Sequence, residues 1–250
     1  MNFDFFEIFL TWQGWFYLLI LSLLEIVLGI DNIIFISIVT DHLAPKEKRK
    51  ARNIGLSIAL IFRLVLLGTV SYIMHLVEPL FIIGGIDFSG QSIILIIGGL
   101  FLIYKSIAEM HKSISGHEET GASKKGNLSA IISQIVLIDL VFSFDSIISA
   151  IGMTNGLEKE IEHNPMAIIV FAIIISMVIM LIFAKQIGDF IHDYPTIKMI
   201  ALSFLVAIGM LLIAEGFGQE FPKGYIYFAM VYSLIVEFLN IRMRKNKGLE

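Results

Sequence analysis

Four acidic side chains lie in stretches that are otherwise almost wholly apolar: Glu25 and Asp31 within Leu24–Asn32, and Asp139 and Asp145 within Leu137–Ile147. Placed at the centre of a membrane helix without support, each carboxylate costs roughly 2.5–3.5 kcal/mol. Arg63 is the one basic residue in an apolar stretch, so four acids against one base leave a formal excess of three negative charges. A divalent cation fits that deficit, and protonation, favoured by desolvation, is the state expected once the ion has left. The same acids could instead simply hydrogen-bond neighbouring helices. Small polar residues follow both pairs, Asn32 in one and Ser146 in the other, and Ser22 or Ser143 could add a hydroxyl. With freed backbone carbonyls these form an all-oxygen set, which suits Mg²⁺, Ca²⁺ or Mn²⁺ rather than copper or zinc. The chain has no cysteine, which excludes thiolate sites, Fe–S clusters and disulfides, and its six histidines fall in loops or at span ends.

Spacing constrains how such a site could close. Six residues of straight helix separate Glu25 from Asp31 by about 240° of rotation and ~9 Å of rise, so one ion cannot be gripped by both unless the helix is interrupted. Gly29, between them, is a candidate interruption. The expectation is two acidic rungs, Glu25 with Asp145 and Asp31 with Asp139, merging into one midplane site if both helices unwind.

The elements that must carry these residues follow from hydropathy. With 57% hydrophobic and only 16% charged residues, the 250-residue chain is not that of a soluble enzyme. Seven apolar runs, Gly14–Val39, Ile54–Leu76, Ser92–Ile107, Ala130–Met153, Pro165–Ala184, Ile197–Ala214 and Tyr225–Met243, are each close to the length that crosses a hydrocarbon layer about 30 Å thick. The fold class expected is all-α, a polytopic membrane protein of seven transmembrane helices. Met1–Trp12 carries Asp4 and Glu7 and no basic residue, so it reads as a retained interfacial segment rather than a signal peptide. Of eighteen Lys and Arg, fifteen fall in the flanks on one side (among them Lys46, Lys48, Arg49, Lys50 and Arg52), only Lys159 and Lys223 on the other, and Arg63 inside a span. The asymmetry predicts an N-terminus outside and a cytoplasmic C-terminus.

An internal repeat organises the spans. Sliding Leu28–Ile34 onto Phe142–Ile148, an offset of 114, sets Glu25 opposite Asp139 and Asp31 opposite Asp145, and Ile97–Ile103 resembles Ala207–Ile213. Three helices per unit is an odd number, so the second unit enters the membrane inverted, as in many secondary transporters. The expected divisions are residues 1–128 (N-terminal segment, first repeat and cytoplasmic loop), 129–220 (second, inverted repeat) and 221–250 (seventh helix and basic tail). Gly98-Gly99 and Gly209 are read as positions of close helix packing. No GxxxxGK[ST] motif is present, so any coupling comes from a gradient rather than nucleotide hydrolysis.

The segments Leu24–Asn32 and Leu137–Ile147 resemble the paired acidic signature of the TerC family of integral membrane proteins, and the likeness extends over nearly the whole chain. The resemblance implies a membrane protein of divalent metal homeostasis, in particular Mn²⁺ efflux, with a historical link to tellurium resistance. Matched position by position, it implies Glu25, Asp31, Asn32, Asp139, Asp145 and Ser146 as the metal-binding residues. The expected function is thus a bacterial inner-membrane secondary transporter, not an enzyme. It would move Mn²⁺ out of the cytoplasm with protons as counter-ion, without organic cofactor or nucleic-acid partner, in the lipid bilayer and with homo-oligomerisation left open. Two alternatives stand beside it: a H⁺- or Na⁺-coupled Ca²⁺ transporter, and a non-transporting membrane scaffold of a stress-response or secretion complex.

Overall fold

The fold was obtained as a computed structural model, which describes residues 7–41, 43–69, 79–115, 127–154, 166–219 and 221–246. The all-α expectation holds, with 88% of the structure helical. A short 3-10 helix, Ile8–Leu10, precedes α1 (Trp12–Thr40) and α2 (Pro45–Gly68). A hairpin of β1 (Pro79–Ile83) and β2 (Ile86–Ser89) leads into α3 (Gly90–Ser115), followed by α4 (Leu128–Thr154), α5 (Met166–Asp193), α6 (Pro195–Gly216) and α7 (Gly224–Asn246). All seven α-helices are long and apolar enough to cross a membrane.

Several helices outrun the apolar runs that announce them. α2 begins at Pro45, nine residues before the hydropathic start at Ile54, so the basic stretch Lys46–Arg52 is helical rather than a loop. Proline at the first position and Glu47 in the first turn both favour a start there. α3 likewise continues to Ser115 and α5 to Asp193. Hydropathy registers where oil begins; a helix ends only where its backbone hydrogen bonds do, and charged turns can project beyond the hydrocarbon.

The hairpin lies in what reads from sequence as the loop Val77–Gln91. Gly84 and Gly85 take φ of 61° and 83°, the two positive values that a tight two-residue hairpin turn demands, and Ile83 pairs with Ile86 across it. Ser89 then caps α3, its Oγ accepting from Ser92 N at 3.1 Å. At the other end of the chain, Thr11 caps α1 by accepting from Gly14 N at 3.1 Å. Trp15 Nε1 donates to Phe9 O at 2.8 Å, which ties the N-terminal segment back onto the helix.

The chain divides into two compact units, Met1–Met74 with Lys125–Gly188, and His75–Lys124 with Asp189–Glu250. The first holds α1, α2, α4 and most of α5. Within it, α2 presents a stripe of small residues, Ala51, Gly55 and Ala59, with Leu56, all buried. A Cβ at Gly55 would lie 2.8 Å from Ile135 of α4, so the missing side chain is what lets the two helices close. The second unit holds the hairpin, α3, α6 and α7. Here a Cβ at Gly99 would sit 2.5 Å from the Gly209 carbonyl oxygen and one at Gly209 would sit 2.9 Å from that of Gly99, the backbone-to-backbone approach expected at these glycines.

Candidate cation site

The burial pattern of α1 changes at its acidic motif. Up to Asn32 a single stripe is buried, Gly14, Leu18, Leu21, Ser22, Glu25, Gly29 and Asn32, while Trp15, Phe16, Leu19, Leu23 and Val27 on the opposite face are exposed. That is the spacing of one face of a 3.6-residue helix. From Asp31 to Thr40 every residue except Ser37 is buried. α4 behaves alike: Ile131, Ile135, Ile138 and Asp139 form a stripe, and Val141 to Phe144 are all buried. Both acidic motifs therefore lie where their helix passes from an edge to the inside of the first unit.

Arg63 continues the small-residue stripe of α2 by one more turn. The packing that sets Gly55 against Ile135 brings Arg63, two turns on, against Asp139 and Ser143 of α4, so the two helices run in the same direction here. Its Nη1 donates to Glu25 Oε2 at 2.8 Å, Nη2 to Asp139 Oδ1 at 3.1 Å and Nε to Ser143 Oγ at 2.9 Å. Ser143 Oγ passes a hydrogen bond to Asp139 Oδ2 at 3.0 Å, and Asn32 Nδ2 donates to Asp139 Oδ1 at 3.1 Å. Arg63, Glu25, Asp139 and Asn32 are each 2% exposed, and Ser143 is fully covered.

Of the residues singled out from sequence, the structure thus brings Glu25, Asn32 and Asp139 together around Arg63. Asp31 is buried at 1% on the same helix beside Asn32. Ser146, 4% exposed, sits one turn beyond Ser143, its Oγ 3.4 Å from the Ser143 carbonyl. Asp145 is part of α4, but its side chain lies outside the described residues, as does any rung it would form with Glu25. Asn32, next to Asp31 on α1, is bonded to Asp139.

Neither acidic helix is interrupted. α1 runs unbroken from Trp12 to Thr40 and α4 from Leu128 to Thr154. Gly29 does not break α1; it admits Met180 of α5, whose Sδ occupies the space a Cβ would need. The merging of rungs through unwound helices is therefore absent from this conformation. Among the described residues no three carboxylates or imidazoles converge closely enough to hold a metal ion between them. The guanidinium stands between Glu25 and Asp139 instead.

Two features bear on what could bind. Asn32 turns its amide nitrogen to Asp139, which leaves its carbonyl oxygen Oδ1 buried without a hydrogen-bond partner, and Ser22 Oγ, one turn from Glu25, is likewise buried and unpartnered. A buried polar atom left unmatched costs about 1–3 kcal/mol. Three carboxylates, Glu25, Asp31 and Asp139, share the first unit with Arg63, the only buried basic residue among those described. Sequence reasoning pointed to Arg63 as a partner for one carboxylate. Its bridging of two helices was missed, although the four-residue spacing Ala51, Gly55, Ala59, Arg63 already placed it on the packing face of α2. Glu237, the acid of the last span, accepts from Arg244 at 2.8 Å and Asn240 at 3.2 Å on its own helix and bonds Thr196 of α6.

Comparison with known proteins bears on the whole chain. The sequence profile of the integral membrane protein TerC family matches residues 10–248. A UPF0053 protein of Haemophilus influenzae is 44% identical over 235 residues, covering 93% of this chain and 95% of that one. The UPF0053 inner membrane protein YgdQ of Escherichia coli K12 is also 44% identical over 235 residues, with 94% and 95% covered. The UPF0053 inner membrane protein YoaE of the same strain is 43% identical over 237 residues, 94% of this chain but only 43% of YoaE, so less than half of that longer protein is represented here. No solved structure matches the chain. With a profile match over nearly its full length, relatives named as inner membrane proteins and seven helices able to span a bilayer, the chain belongs to the integral membrane protein TerC family.

Proposed function

We propose that this protein is a secondary transporter of divalent cations that carries Mn²⁺ out of the cytoplasm in exchange for protons. The observation that carries the reading is the set of buried oxygen donors on the acidic motifs, and among them the unpartnered Oδ1 of Asn32 beside Asp139. Carboxylate, amide and hydroxyl oxygens are ligands for hard divalent ions, and an arriving cation would match an oxygen that the protein leaves unmatched. The ligand set proposed is Glu25, Asp31, Asn32, Asp139, Asp145 and Ser146. The outward direction and the preference for Mn²⁺ come from the family rather than from the geometry, and the same oxygens would also serve Ca²⁺ or Mg²⁺.

The inverted repeat belongs to this proposal. Supporting it, Gly29 of α1 receives Met180 from α5, while Ser143 of α4, its counterpart under the offset of 114, receives Arg63 from α2. Met180 is one turn from Met177, the position that offset assigns to Arg63. The outward N-terminus and cytoplasmic C-terminus, taken from the Lys and Arg asymmetry, complete the arrangement.

One observation favours the scaffold reading: Glu25 and Asp139 already have a counter-charge within the protein. Reconstituted protein in liposomes, with time-resolved uptake of Mn²⁺, Ca²⁺ and Mg²⁺ under an imposed pH gradient, separates the readings. A transporter gives flux that Asp31→Asn and Asp145→Asn abolish and Asn32→Ala reduces. A scaffold gives none under any condition, a calcium carrier prefers Ca²⁺ at equal concentration, and folded Asn variants that transport normally remove the site assignment.

A further inference from the structure

We propose that Arg63 is a tethered counter-cation of the site: it holds the carboxylates of Glu25 and Asp139 while no divalent cation is bound, and yields their oxygens when one arrives. The inference rests on the transporter reading above and adds how the empty site is stabilised and emptied again. The guanidinium spans Glu25 Oε2 on α1 at 2.8 Å and Asp139 Oδ1 on α4 at 3.1 Å. That is the place where an ion bridging the two acidic helices would sit. Two cations in contact with one carboxylate pair repel, and at burial of 2% little solvent screens them. Occupancy by the ion and by Arg63 are therefore mutually exclusive at these oxygens.

The guanidinium cannot step aside by losing its proton, since arginine stays charged in proteins, so it must move. Ser143 gives it somewhere to remain anchored: its Oγ accepts from Nε at 2.9 Å, a nitrogen other than the two that meet the carboxylates. Packing does not demand the charge. At the corresponding approach of α5 to α1, the unbranched thioether of Met180 lies against Gly29 where Arg63 lies against Ser143. A methionine fills that kind of space, so the charge at position 63 serves the carboxylates rather than the fit between helices.

The test is Mn²⁺ binding to detergent-solubilised protein, with the free aquo-ion quantified by electron paramagnetic resonance, for the unmodified chain and Arg63→Met. Removing the competitor is expected to tighten binding by about tenfold or more, with turnover in liposomes falling by a similar factor because nothing displaces the ion. A structural arginine makes the opposite prediction for binding, a weaker affinity; a lower unfolding midpoint follows from either role, because two buried carboxylates lose their partner. Equal or weaker binding by monodisperse Arg63→Met, while the unmodified protein binds, overturns the tether and leaves the transporter reading standing. Binding by neither protein overturns the transporter reading and the tether with it. Should Arg63→Met fail to fold, Arg63→Lys decides: an ammonium keeps the charge but not the fork that reaches both carboxylates, so affinity should rise about threefold. Unchanged affinity in folded Arg63→Lys overturns the proposal.

Discussion

Asp139 is the residue on which most of the buried polar network converges. It accepts from Arg63 and Asn32 through Oδ1 and from Ser143 through Oδ2. Removing it would take one of two carboxylates from a guanidinium that is 2% exposed, leaving Glu25, and would leave two neutral donors unmatched. Breaking a buried pair by deleting one partner typically costs about 3–5 kcal/mol, because the remaining charge stays desolvated. Asp139→Ala is accordingly expected to lower unfolding stability in mild detergent by about that amount. Ser143→Ala, which leaves Arg63 both carboxylates, should lower it by only about 1–3 kcal/mol. Equal small losses in the two variants would mean that the network does not hold the unit together. Under the proposed function, transport and stability are separable: Asp139 is predicted to matter to both, and Asp31 and Asn32 chiefly to flux.

At the scale of elements, α3 and α6 approach closely at glycines, and the energetics of that contact are testable without reference to transport. A single methyl group at Gly99 would meet the Gly209 carbonyl at 2.5 Å, backbone against backbone, with no flexible side chain able to yield. Gly99→Ala should therefore separate α3 from α6 and cost about 1–3 kcal/mol, as overpacking does. Gly68, in the last turn of α2, has nothing within 4 Å of where a Cβ would stand. There Gly68→Ala is expected to raise stability by about 0.4–1 kcal/mol by restricting the unfolded chain. Thermal unfolding of the two variants in one detergent gives opposite shifts if these contacts are as described, and a neutral Gly99→Ala would refute the backbone approach.

At the scale of the whole molecule, the arrangement in the bilayer sets the direction in which any gradient can be used. The chain contains no cysteine, so single introduced cysteines report sidedness without background. Asp87 on the hairpin and Lys245 near the end of α7 are both exposed. With the N-terminus outside, a membrane-impermeant maleimide added to intact spheroplasts should label Asp87→Cys, and should label Lys245→Cys only after permeabilisation. The reverse pattern would overturn the topology taken from the Lys and Arg asymmetry.

Hydropathy alone disclosed seven spans, and the acids were conspicuous because an ionisable group in oil is costly wherever its partners are. Burial of Glu25, Asp31 and Asp139 was legible for the same reason. Family membership too was carried by the two acidic segments. The partners of those acids were not legible. Whether Arg63 meets one carboxylate or two depends on the rotation and axial register of α2 against α1 and α4, which the fit of Gly55 on Ile135 decides and composition does not encode. Gly29 reads from sequence as a candidate interruption, whereas in the fold it is the point where Met180 packs against an unbroken helix. Helix ends at Pro45 and Ser115 and the Gly84-Gly85 hairpin escaped notice because they follow from backbone hydrogen bonding outside the apolar runs. Solvation cost is a property of each residue and can be summed along a chain; contact is a property of pairs, and only the folded arrangement selects them.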